Sequence, residues 1–161
     1  MPYQRLLLPL LALGWLLLLG GCSEPQTGPA EVHWDRDTCE RCRMVLSDRR
    51  HAAQVRHRLA DGRSKVYRFD DIGCAVVWLH DKPWGDDPKT EIWVNDWRDG
   101  KWIDARKATY VTGQITPMQY GFGAQSAPDP KGLDFEQMRA SVLEQEGLNG
   151  EHREHLQRRV E

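Results

Sequence analysis

Cys39-Glu-Arg-Cys42-Arg-Met44 places two thiols and a thioether within six residues. Three chemistries use such a stretch. A thioredoxin-type dithiol wants a preceding strand and a helix that begins at the first cysteine. Here His33-Trp34-Asp35-Arg36-Asp37 precedes it, polar and not strand-like. A zinc knuckle wants a second closely spaced cysteine pair, which the chain lacks, although Cys74 or a histidine can contribute. The third chemistry is Cu(I), which soft thiolate and thioether sulfur select. In an extended segment, residues two apart point the same way. Cys42 and Met44 can then hold one small ion between them, with Cys39 nearby. The competing use of Met44 is gap-filling in the core. A two-sulfur site commonly takes a further donor, and His51, His57 and Met118 are the candidates. Met118 lies in the turn-rich Thr-Pro-Met-Gln-Tyr-Gly-Phe-Gly segment, and loops commonly carry ligand residues on a rigid scaffold.

The amino terminus bears on these alternatives. Arg5 is followed by an almost continuous apolar run from Leu6 to Leu19 and then by Leu19-Gly20-Gly21-Cys22. That pattern reads as a lipoprotein signal peptide over residues 1–21, with Cys22 as the acylated first residue of the mature chain. The run falls short of the roughly 20 residues a membrane-crossing helix needs. Several acyl chains on one cysteine make a stable anchor. The expected location is the periplasmic face of a bacterial membrane, and Ser23 after the cysteine favours the outer membrane. With Cys22 carrying lipid, Cys39, Cys42 and Cys74 leave an odd number of thiols in an oxidising compartment. An odd thiol suggests a reactive or metal-binding role. Cys74 taken alone reads as a small buried apolar residue. The 161 residues carry 22 Lys and Arg against 24 Asp and Glu, a formal charge of -2, with no basic block. This argues against nucleic-acid binding.

The elements that must position the sulfurs follow from local pattern. Residues 22–32 read as a flexible lipidated tether. Gln54 to Leu59 alternates as a half-exposed strand, with Gln54, Arg56 and Arg58 on the outer face. Asp61-Gly62 turns the chain into a return strand from Lys65 to Phe69. Asp70 or Asp71 caps a helix to about His80, whose stripe Ile72, Val76 and Leu79 faces the core while Cys74 lies off it. Glu91 to Trp97 is a tryptophan-rich strand, Asp99-Gly100 a turn, and Tyr110-Val111 a further strand. Asp134 caps a second helix that buries Phe135, Met138 and Val142. The expected fold is α+β, with a copper-binding module over 33–88, a second module over 89–146, and a charged tail over 147–161. His152 and His155 in that tail read as exposed.

The whole pattern resembles the NosL family. The resemblance rests on the lipobox, Cys-x-x-Cys-x-Met, Ala52-Ala53-Gln54, Tyr67-Arg68-Phe69-Asp70-Asp71-Ile72-Gly73-Cys74, and Thr116-Pro117-Met118 with its glycine-rich continuation, in that order. It extends to about residue 145. It implies two small ββαβ-like modules. It implies a Cu(I)-binding metallochaperone, not an enzyme, that serves apo nitrous oxide reductase and its membrane-bound maturation machinery. The copper positions carried over are Cys42 and Met44, with Cys39 in the same motif and Asp70, Asp71 and Cys74 supporting the site. The competing readings are a CxxC thiol–disulfide oxidoreductase and a structural zinc lipoprotein. One departure is local. The family often has glycine between the second cysteine and the methionine, where this chain has Arg43, and a positive φ there would strain an arginine.

Overall fold

The computed structural model describes residues 27–147. The expected signal peptide, the expected acylation site Cys22 and the tail histidines His152 and His155 lie outside the described residues. Four strands make the larger sheet: β1 (Ala53–Arg58), β2 (Ser64–Phe69), β3 (Glu91–Asn95) and β4 (Trp102–Asp104). Their order is β2-β1-β3-β4 and every pairing is antiparallel. Two hairpins build it, and the turn glycines Gly62 and Gly100 adopt the positive φ that favours glycine. Between β2 and β3 runs helix α1 (Ile72–His80). A single 3₁₀ turn at Ala105–Lys107 leads into a second sheet of β5 (Thr109–Val111) and β6 (Gly123–Gln125), and helix α2 (Phe135–Gln145) follows. The α+β class expected from sequence is what the chain adopts. The larger sheet takes strands from both sides of residue 88, because β3 pairs directly with β1.

Register places the core. Val55 lies between Tyr67 of β2 and Ile92 of β3. Val55, Phe69, Ile92 and Val94 are all buried. Helix α1 presents the expected stripe of Ile72, Val76 and Leu79, but it also buries Gly73, Cys74, Ala75 and Val77. A helix that is apolar nearly all round is enclosed on more than one side. Here the sheet and α2 both pack against it. Helix α2 is amphipathic as expected, burying Phe135, Met138 and Val142. Asp134 starts it with a capping box shared with Gln137, an arrangement that satisfies two otherwise orphaned backbone donors.

β1 departs from the expected half-exposed strand. Gln54 and Arg56 are buried, not solvent-facing. The reason is the chain before them. The Gln54 amide exchanges two hydrogen bonds with the Ala30 backbone, at 2.8 and 2.9 Å. Arg56 Nε donates to the Gly28 carbonyl at 2.8 Å. The end of the expected tether is therefore pinned across the polar face of β1. The buried Gln54 amide is tolerated there because the Ala30 backbone satisfies it, and Arg56 is held by the Gly28 carbonyl and the Ser64 hydroxyl.

Candidate metal centre

Backbone bonds close the loop that carries the sulfurs. Thr38 and Val45 form an antiparallel bridge, and the Cys39 N–H donates to the Met44 carbonyl at 2.8 Å. The Arg43 N–H donates back to the Cys39 carbonyl at 3.1 Å, and Arg43 itself takes φ 66°. This is a tight turn closed by a left-handed residue. The extended segment expected between Cys42 and Met44 is not formed, because the turn reverses the chain at Arg43. Met44 is 49% exposed. The loop is held against the sheet by the Glu40 N–H, which donates to the Arg68 carbonyl at the end of β2 at 2.8 Å.

That docking brings the loop onto the β2–α1 junction. Ligand-type atoms of Cys39, Cys42, Asp70 and Cys74 all lie within 4.8 Å of one another. All three cysteines are free thiols. Cys39 and Cys74 have no exposed surface, Asp70 is 2% exposed, and Cys42 is partly open. Cys42 Sγ donates to Asp70 Oδ2 at 3.2 Å. The other carboxylate oxygen, Asp70 Oδ1, is buried and makes no hydrogen bond to the protein.

The protons are unequally held. The Cys74 thiol donates to Cys39 sulfur, and the amides of Cys42 and Asp70 point at the same atom. Against the opposing effect of burial, these hold the Cys39 thiol down at about 6. The arrangement favours the thiolate at Cys39, the form that binds metals. Burial pushes Cys42 up to about 12. Donation to Cys39, together with burial, raises Cys74 well above the usual thiol range.

Two networks frame the cluster. Asp71 caps α1 through Gly73 N–H at 2.9 Å and also accepts from the Met118 N–H at 3.2 Å. It thereby ties the 116–120 loop to the site, and burial raises its carboxyl above the ordinary value. Tyr120 lies so close to Gly73 that a Cβ there would sit 2.1 Å from its ring. Arg41 Nη1 is 3.9 Å from Cys74 Sγ and donates to the Tyr120 hydroxyl at 2.8 Å, while Arg41 Nη2 pairs with Glu146 at 2.8 Å. A guanidinium thus sits beside the sulfurs, where it can offset negative charge.

The other candidate donors go elsewhere. His51 Nδ1 pairs with Asp48 at 2.9 Å, and the His57 ring stacks on Trp84 with centroids 3.8 Å apart. Neither belongs to the donor group among the described residues. Met118 packs against the core beneath its loop. Sequence reasoning read Cys74 taken alone as packing and, through the family resemblance, as support for the site, and it did not single out Arg41, Tyr120 or Glu146. The one local hint was Cys74's place off the core stripe of α1.

Among curated proteins no sequence matches. Among solved structures, the crystal structure of the copper chaperone NosL from Shewanella denitrificans is similar at 20% sequence identity and a TM-score of 0.42, covering 75% of this chain and 88% of that one. The profile of the family described as NosL matches residues 29–127, which include all four clustered residues and Met118 but not α2. With well over half of the 161 residues inside that match, the chain belongs to the NosL family.

Proposed function

We propose that this protein is a Cu(I) carrier that supplies copper to apo nitrous oxide reductase and its membrane-bound maturation machinery, for assembly of the copper–sulfide centre. It would work from the periplasmic face of the membrane, held there by acylated Cys22. The observation that carries the reading is the buried group of Cys39, Cys42 and Cys74, opened to solvent at Cys42. Three sulfurs are a soft donor set, and soft donors select Cu(I) over harder ions. Family membership supports the same reading. A carrier must also release its cargo. A partly exposed ligand lets an acceptor add its own donor before the carrier's bonds break, so no free ion forms.

Asp70 supports a second reading. Three cysteines and a carboxylate also suit tetrahedral Zn(II), whose sites are commonly closed by four protein ligands. Competition separates the two. Protein purified under reducing conditions is titrated with Cu(I) against a chromogenic Cu(I) chelator, in the presence of excess Zn(II). The carrier reading expects one equivalent of Cu(I) bound despite the zinc, and its loss in Cys42→Ser. Retention of zinc with no copper uptake would make the site structural.

A further inference from the structure

A group of rings and lysines lies toward the β1–β2 hairpin, where β2 begins and α1 ends. His57 stacks on Trp84 with centroids 3.8 Å apart, and Trp84 meets Trp78 and Tyr67 at 5.5 and 6.0 Å. None of these rings is fully buried. Lys65 Nζ stands 4.7 Å from the Tyr67 centroid and Lys82 Nζ 4.5 Å from that of Trp78. Trp93 and Trp97 donate their indole N–H groups to Glu91 and Gln125, whereas those of Trp78 and Trp84 make no hydrogen bond among the described residues. The sulfurs are at the other end of these elements: β2 runs about 13 Å from Lys65 to Phe69 before Asp70 is reached, and Cys74 is in the first turn of α1. The chain enters the fold at the hairpin end. Gly28 is bonded to Arg56 and Glu91, and the next residues run toward the sulfurs, Ala30 reaching Gln54 and the Glu31 carbonyl accepting from Arg68. Cys22 precedes Gly28 by six residues, a span of at most about 22 Å.

We infer that this ring-and-lysine group is a membrane seat: Trp78 and Trp84 enter the headgroup layer of an anionic phospholipid leaflet, Lys65 and Lys82 face its phosphates, and the sulfur cluster is held at the raised end. The inference rests on the Cys22 anchor of the proposed function and adds an orientation to it. A tryptophan has an apolar body and one N–H donor, so it settles where hydrocarbon gives way to headgroups. Lysine stems lie along apolar surface while the ammonium stays in the polar layer, and each charge near an anionic leaflet adds attraction. The local balance is positive. Asp61 and Asp86 are paired with Arg63 and Arg139, and Arg58, Lys65, Lys82 and Lys89 then outnumber Asp81 and Asp87 at this end. The short arm from Cys22 to Gly28 brings this end within reach of the leaflet that holds the acyl chains. Two contacts, one covalent and one adsorbed, fix which way the domain faces, where the arm alone leaves it free to turn.

The test uses the full chain purified from membranes and reconstituted in vesicles of phosphatidylethanolamine and phosphatidylglycerol. Some of the lipids carry bromine just below the headgroup, which quenches tryptophan emission at short range. The unmodified chain is expected to be quenched, and Trp78→Phe with Trp84→Phe to lose at least half of that quenching. Lys65→Gln with Lys82→Gln is expected to weaken it at least twofold on these vesicles and to leave it unchanged on phosphatidylcholine vesicles. The lysine pair lies outside the core, so its result does not depend on repacking. No quenching of the unmodified chain, or equal quenching in the tryptophan pair, overturns the seat. Equal quenching of the lysine pair and the unmodified chain on the anionic vesicles overturns the role of the lysines. Self-association in detergent micelles that the tryptophan pair disperses gives the surface to a second copy, and overturns the seat as well. Mass spectrometry of the same samples separates this inference from the reading beneath it. A chain without acyl groups on Cys22 refutes the anchor and the seat with it, whereas an acylated chain quenched equally with and without the two tryptophans refutes the seat alone.

Discussion

Arg43 is the residue at which this chain's loop differs most visibly from the glycine-containing form of the motif. Its φ of 66° is a conformation glycine adopts freely and an arginine adopts at a cost of about 1 kcal/mol. The turn tolerates it because the Cys39 and Arg43 backbones are bonded into the loop and the Arg43 side chain lies in the open near Glu40. Arg43→Gly should therefore stabilise the protein by about 1 kcal/mol, read as a higher urea midpoint at unchanged slope. An unchanged or lower midpoint would mean that the loop does not hold the left-handed residue. The sequence carried the possibility of this strain, since a residue type and its neighbours can be read locally. It named Cys74 as a possible contributor beside the pair, but its local pattern did not carry the contact of Cys74 with Cys39 and Cys42. That contact depends on the Glu40 amide docking at the end of β2, and no periodicity along the chain records a bond between segments 28 residues apart.

At the level of elements, each of the pieces that flank the site was legible because its signals are local. The Asp-Gly turns, the Asp71 cap and the Asp134 capping box each sit where a short run of residue types predicts them. The burial of β1's second face was not legible, because the covering strand of chain comes from residues 28–30. The join between the two sheets is likewise non-local. Asp96, just past β3, accepts from the Ser126 amide and hydroxyl just past β6, and from the Arg98 side chain. Arg98 first, and the Ser126 and Arg98 amides with it, hold its carboxyl well below the usual range. Such a group stabilises the folded chain fully above its unfolded value of about 3.9. The contribution is lost as pH falls from there toward the lower folded value. Asp96→Asn should cost about 2 kcal/mol at pH 7, discounted for the partly exposed Arg98. The gap to the unmodified protein should close as pH is lowered below about 4. Denaturant unfolding across that range checks both parts, and a gap as wide at about pH 2 as at pH 7 would show that the carboxylate charge is not what joins the sheets.

For the whole molecule, the parts converge on one place. The cysteine loop is docked by β2, Asp70 and Asp71 come from the β2–α1 junction, Cys74 from the first turn of α1, and Tyr120 from the loop between β5 and β6. Glu146, at the end of α2, reaches the same place through Arg41. Every element that touches the site is thus fixed by the core on its far side, which keeps the sulfurs close together before any ion arrives. Preorganisation of this kind spares the ordering cost that binding otherwise pays. The central claim is that these sulfurs hold copper. Copper-edge X-ray absorption of the Cu(I)-loaded protein tests it most directly, because it counts the donors around the metal. The expected result is a first shell of three sulfurs with no nitrogen donor. A shell dominated by nitrogen or oxygen would contradict it, since His51 and His57 are engaged away from the cluster and the cysteines would then be serving another purpose.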